Sequence, residues 1–379
     1  MENFASYFGK NPSLLVSAAG RVNLIGEHID YCGGKVLPIS LNLSSKVYSL
    51  KNNTNKINIA FKGIKDILTL DIDNIENYKN VKIGTCQAGV FYILKDMGYT
   101  LCGLDIYVDC DIPFGAGLSS SAGLEASAMI TMLEQNGYNY SLTDVALWCQ
   151  RAEHEYCFVM CGIMDQFASC NGKKDKAMLL DCKKVECEYI DCDFGDYSLL
   201  VCSCNKPHEL VKSEYNTRLK EVNEGLSILK TKLDIECLAD LEIDDFENYK
   251  ELLPNIIKNR VSHVVYECNR VKQAVNKLSN KDIKGFGELL NESHYSLRDN
   301  YEVTGMELDT LTDLMRNFNG CIGARMTGAG FGGSCICLVE KGKEEQLKQH
   351  CINEYTKIIG YPPTFYDTTI EDGIVIKKL

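Results

Sequence analysis

Residues 113–123 read Pro-Phe-Gly-Ala-Gly-Leu-Ser-Ser-Ser-Ala-Gly, a run that admits few backbones. A proline followed by glycines at 115 and 117 demands a tight turn, and the small and apolar residues over 118–135 favour helix. The apolar residues over 104–108 read as a strand ending at that turn. A helix that starts directly behind a turn leaves its first amides without intrahelical partners, at the positive end of its dipole. Gly115, Gly117 and the Leu118 backbone, with the hydroxyls of Ser119, Ser120 and Ser121, therefore form a cradle suited to an anion such as a phosphate. It is not a Walker A loop, because no Gly-Lys-Ser/Thr occurs anywhere in the chain.

Two further glycine-punctuated segments flank this one in sequence. Residues 20–31, GRVNLIGEHIDY, place Arg21, Glu27, His28 and Asp30 within ten residues of one another. A guanidinium, an imidazole and two carboxylates make many directional hydrogen bonds at once, which suits a polyol. Residues 328–333, GAGFGG, satisfy the pattern GxGxxG. The context is wrong for a dinucleotide, since these glycines lead into the strand-like run 334–339 rather than opening a helix. A nicotinamide-dependent dehydrogenase is excluded on that ground. Between them lies CGIMDQ, 161–166, preceded by Glu153, His154 and Glu155. A lone aspartate beside a glycine is usually a turn residue, so Asp165 carries little weight by itself.

The rest of the chain supplies the frame. Strands are expected over 14–18, 46–50, 56–61, 67–70, 197–204 and 334–339, and helices over 80–96, 141–156 and 344–359, with a charged helical stretch from 213 to 291. This mixture indicates an α+β protein. With 379 residues and no Pro/Gly/Ser linker, two intimately packed lobes divided near residue 185 are expected, 1–185 and 186–379. Forty basic against 52 acidic residues give a net charge of −12, which argues against coating nucleic acid or an anionic membrane. No apolar stretch is long enough to span a bilayer and the N-terminus lacks a secretory pattern, so a cytoplasmic protein is expected. The 19 cysteines are odd in number and scattered, as expected of free thiols in a reducing compartment.

Taken in order, GRVNLIGEHIDY, GAGLSSSAG, CGIMDQ and MTGAGFGGS resemble the motif set of the GHMP small-molecule kinases, and the long first motif is similar to that of the galactokinase branch. SEYNTR at 213–218 and SHYSLRDNYEVTGMELD at 293–309 look like segments of the same branch, so the resemblance runs from about residue 15 to 335. It implies a two-lobed fold, with an N-terminal lobe like domain 2 of ribosomal protein S5 and a ferredoxin-like C-terminal lobe. It also implies ATP- and Mg²⁺-dependent phosphorylation of galactose at its anomeric hydroxyl, in the cleft between the lobes, by a monomer. On this resemblance Asp165 is the catalytic base and Arg21 its neighbour at that hydroxyl. Glu27, His28, Asp30, Gly162 and Tyr215 would bind the sugar. Residues 115–121 with Gly328 and Gly330 would serve the nucleotide, and Ser121 and Glu155 would hold Mg²⁺.

Several positions depart from the family pattern. Ala19 stands where proline is usual, Gly123 where alanine or serine is usual, and Phe158 and Met160 where smaller residues are common. Ile29, Cys32 and Gly33 make HIDYCG look more like the N-acetylgalactosamine kinases of the same branch. Galactose is the expected substrate. The alternatives are a kinase for N-acetylgalactosamine or another modified galactose, and a catalytically silent sensor of galactose and ATP.

Overall fold

A computed structural model of the protein describes residues 2–79, 81, 83–206 and 211–379. A six-stranded sheet forms the first layer, in the order Ile374–Lys378, Leu14–Asn23, Pro38–Lys51, Leu104–Cys110, Lys56–Phe61, Leu68–Asp71. All its pairings are antiparallel except that of Lys56–Phe61 with Leu104–Cys110. The strand expected over 14–18 continues to Asn23, past Gly20, because a bulge between Ala19 and Arg21 lets the ladder with Pro38–Lys51 resume. Bulges re-aim side chains, and this one lies where a Cβ on Gly20 would come within 2.9 Å of the Leu118 carbonyl.

Behind the sheet runs the helix Ser120–Asn136, in which every residue from Ala122 to Leu133 is buried. A helix enclosed on all sides needs small or apolar residues all round, which its sequence has except at Glu125. Gly123 is part of that fit, since a Cβ there would press on the Ile112 side chain at 2.7 Å. Helices Thr85–Asp96, Leu142–Ala152 and Met164–Asn171 complete the layer. The helix expected over 80–96 starts at Thr85, and Asn80 lies outside the described residues. Ser141 caps the next helix, its Oγ accepting from Asp144 N at 3.0 Å.

The second layer is a four-stranded antiparallel sheet in the order Cys321–Thr327, Ser334–Glu340, Tyr197–Ser203, Thr364–Tyr366. Among the helices of this half are Asn255–Ser279, Ile283–Ser296, Met306–Arg316 and Glu344–Ile359. The expected division lies at 185/186. It falls in the turn of the hairpin Lys176–Asp181/Glu186–Asp191, which joins Lys35–Val36 in a small third sheet. The strand Ile374–Lys378 then leaves the second half altogether and pairs with residues 14–18 of the first. Long-range strand pairing of this kind leaves no local mark in composition.

Candidate active site

The three glycine-punctuated segments meet at the junction of the two halves. Arg21, just past the bulge, reaches Asp165 with two parallel hydrogen bonds, Nε to Oδ1 at 2.8 Å and NH2 to Oδ2 at 2.6 Å. Its third nitrogen donates to the Gly117 carbonyl at 2.7 Å. Ser119 donates its hydroxyl to Asp165 Oδ2 at 2.6 Å. The serine manages this from a left-handed backbone, φ +61°, immediately before the helix. A guanidinium fork and a hydroxyl thus orient one carboxylate at the N-terminus of a helix, beside a turn shaped for an anion. The loop 113–119 is itself clamped. The Arg21 amide donates to the Leu118 carbonyl at 3.1 Å, and Ser334 Oγ donates to the Ala116 carbonyl at 2.6 Å.

One cavity collects Arg21, Asp165, Asp30, Gly162, Tyr215 and Ser121, with Glu27, His28 and Gly328 in its wall. Burial raises the Asp30 carboxyl to about 7, helped by the charge of Asp165. Gly162 has to be glycine here, because a Cβ would run into the Asp30 carboxylate. His28 sits at φ +61° and both of its ring nitrogens have partners. Nε2–H donates to the Ala329 carbonyl at 3.1 Å, while the Tyr31 hydroxyl donates to Nδ1 at 2.7 Å. Burial lowers the His28 pKa to about 3, so the ring is neutral. Tyr215 packs beside it, ring centroids 5.6 Å apart.

Glu27 is 1 % exposed and ties the first segment to the third. Oε1 accepts from Gly328 N at 2.9 Å and Thr327 Oγ1 at 3.1 Å. Oε2 accepts from Asn23 Nδ2 at 2.6 Å and faces Arg325 NH2, also at 2.6 Å. Burial raises the Glu27 pKa against the pull of Arg325 and the Gly328 amide. Arg325 has no exposed surface, and sequence reading missed it because a single arginine inside an apolar strand carries no pattern.

Several expected residues lie off the cavity wall. Glu155 points outward, held by Arg151 Nε at 2.6 Å, with 44 % of its side chain exposed. Glu153, two residues earlier, lines the cavity with Ser121 instead. The five residues Glu153–Cys157 form a wide helical turn, and that local unwinding shifts which side chain faces inward. Gly330 faces the second half rather than the cavity, where a Cβ on it would run into the Val303 carbonyl. Leu118 is buried and Ser120 lies outside the cavity wall, so of the three serines Ser119 and Ser121 face the chemistry.

A pair of carboxylates deepens the picture at Glu153. Glu125, fully buried behind it, is held well above the usual carboxylate range by burial and by the Glu153 charge. Glu125 Oε1 has no hydrogen-bond partner among the described residues. A second, mostly apolar pocket is lined by Phe114 with Phe61, Ile64, Ile83, Val108 and Leu124. Among the described residues no helix is long and apolar enough to cross a membrane.

A glycine turn between strand and helix facing an Arg–Asp pair, with a second glycine loop from the other half against it, is the arrangement of a small-molecule kinase of the GHMP type. Domain comparison agrees, with the GHMP kinase N-terminal domain matching residues 85–173 and the C-terminal domain 272–357. The galactokinase galactose-binding signature matches residues 2–47. The chain is 43% identical to the galactokinase of Clostridium tetani over 376 residues, covering 98% of this chain and 95% of that one. It is 37% identical to the galactokinase of Staphylococcus carnosus, covering 99% and 98%. Its fold superposes on Lactococcus lactis galactokinase complexed with galactose with a TM-score of 0.96 and 35% identity, over 100% of this chain and 98% of that one. A mevalonate kinase structure shares the fold at a TM-score of 0.68 and 19% identity, over 94% and 99%. The protein belongs to the galactokinase family of sugar kinases.

Proposed function

We propose that the protein transfers the γ-phosphoryl group of ATP to the anomeric hydroxyl of galactose, giving α-D-galactose 1-phosphate. The observation that carries this reading is the Arg21–Asp165–Ser119 cluster, set in one cavity with Asp30, Gly162 and Tyr215. The Lactococcus lactis relative, solved with galactose, supports the choice of sugar. In this reading Asp165 accepts the hydroxyl proton as the oxygen attacks phosphorus, and Arg21 and Ser119 hold its carboxylate in line. Asp30 and the Gly162 amide bind ring hydroxyls, Tyr215 closes over the sugar, and Glu27 and His28 shape the wall. The first amides of helix Ser120–Asn136 face the phosphates and favour charge that develops on them. The apolar pocket beside Phe114 receives the base of the nucleotide.

The residues present also fit a nucleotide-borne Mg²⁺. Such an ion keeps several waters and takes one or two protein oxygens, not a full protein cage. Ser121 and Glu153 would supply those oxygens, and Glu125 Oε1, buried behind them, has no hydrogen-bond partner among the described residues. Held there, the ion would supply positive charge against the charge that develops on the transferring phosphate.

The test is ADP release from ATP and Mg²⁺ with galactose, N-acetylgalactosamine, galacturonate, arabinose and glucose offered separately. The highest kcat/KM with galactose supports the reading. A preference for a modified sugar moves specificity elsewhere in the pocket, and the absence of sugar-dependent release overturns it.

A further inference from the structure

Residues 158–163 enter the cleft without regular structure, yet one of their peptides is gripped from outside. The Cys161 carbonyl accepts two hydrogen bonds, from Gln150 Nε2 at 3.1 Å and from His154 Nε2 at 2.8 Å. With a carbonyl as partner, Nε2 of His154 must carry the proton. Both donors line a surface groove with Leu147 and Met160, while Gly162 borders both that groove and the sugar cavity. The Cys161–Gly162 bond is trans, as are all the others described. In a planar trans peptide the N–H points opposite to the C=O. Drawing the Cys161 carbonyl outward therefore aims the Gly162 N–H inward, at the cavity. That amide meets no acceptor among the described residues. A peptide next to glycine has unusual freedom to turn over, so an anchor counts most at this position.

We propose that Gln150 and His154 are positioning residues for the sugar, which together fix the Cys161–Gly162 peptide so that its N–H donates to a ring hydroxyl beside Asp30. Neither side chain touches the sugar. The inference rests on the galactose reading above and adds the pair that presents one of its donors.

The test compares wild type, Gln150→Leu, the double variant Gln150→Leu/His154→Leu, and the conservative His154→Gln. Each is assayed with galactose and with its 2-, 3- and 4-deoxy analogues. The double variant should raise the KM for galactose about tenfold, the scale of one lost hydrogen bond to a positioned donor, and leave kcat and the KM for ATP within about twofold. The penalty should vanish for the single analogue that lacks the hydroxyl met by Gly162, and His154→Gln should keep most of the wild-type KM. Equal penalties with every analogue, or a loss confined to kcat or to ATP, would overturn the proposal. If the double variant does not fold, Gln150→Leu alone supplies the same comparison at smaller amplitude. Failure of wild type to phosphorylate galactose sinks the functional reading first, before any variant is needed.

Discussion

Ser119 Oγ lies 2.6 Å from Asp165 Oδ2, the same oxygen that Arg21 NH2 reaches at 2.6 Å. The Asp165 carboxylate is thus oriented from the strand Leu14–Asn23 and from the loop 113–119 together. Asp165→Asn keeps the shape and removes the proton acceptor, so kcat should fall by roughly 10²- to 10⁴-fold while galactose still binds by calorimetry. Ser119→Ala should cost less, about tenfold in kcat. Ser119→Gly should be no faster than the alanine variant if the hydroxyl, and not the left-handed backbone, is what matters.

Asp30 carries a carboxyl raised to about 7, first by burial and then by the charge of Asp165. Hydroxyl donors need the carboxylate form, so the KM for galactose should fall as the solution is taken from about pH 6 to about pH 8. Asp30→Asn should raise KM and flatten that dependence. The sign for stability is opposite. Between the unfolded-chain value of 3.8 and about 7 the folded chain holds a proton that the unfolded chain has lost. The group's contribution to stability therefore declines as pH rises through that window. Melting temperatures of Asp30→Asn against wild type should diverge across it.

Glu153 and Glu155 are two residues apart and face opposite ways. Glu153→Gln should raise the Mg²⁺ concentration needed for half-maximal rate by about tenfold or more, the scale seen when a metal-site group is weakened. Glu155→Gln should leave that titration unchanged, because the residue spends its charge on Arg151 at the surface. A shift in the second variant and none in the first would restore the assignment that sequence resemblance suggested.

Arg325 and Glu27 are both buried, at 0 % and 1 % exposure of their side chains, and form an ion pair at 2.6 Å. Removing one partner of a buried pair strands the other charge, at a cost of about 3–5 kcal/mol. Arg325→Met should lower the unfolding free energy by that order in a urea titration. Adding Glu27→Gln should recover part of it, since the stranded charge goes too. Equal stability of Arg325→Met and wild type would mean the pair does not hold the two segments together.

Much of this site was legible in the sequence because glycines and helix starts obey local rules. The turn 113–119, the helix behind it and the strand after 328–333 all follow from residues within a few positions of one another. The cap at Ser141 is of the same kind. What escaped depended on contacts far apart in the chain. Arg325 acquires its role only when Cys321–Thr327 is laid against residues 23–27, and the inward turn of Glu153 only when the helix before it loosens. Gln150 is similarly mute in sequence, since its partner is a backbone carbonyl eleven residues on.

The strand Ile374–Lys378 is the outermost of the six-stranded sheet and covers residues 14–18, so the first and last elements of that sheet are separated by almost the entire chain. During synthesis the half that holds the loop 113–119 therefore waits with residues 14–18 uncovered until residue 378 has left the ribosome. An open edge of that sort invites pairing with the wrong neighbour. The catalytic cleft is consequently hostage to a segment that touches none of its chemistry. A stop codon near residue 370 would spare every residue named in the cleft and still yield a protein prone to aggregate.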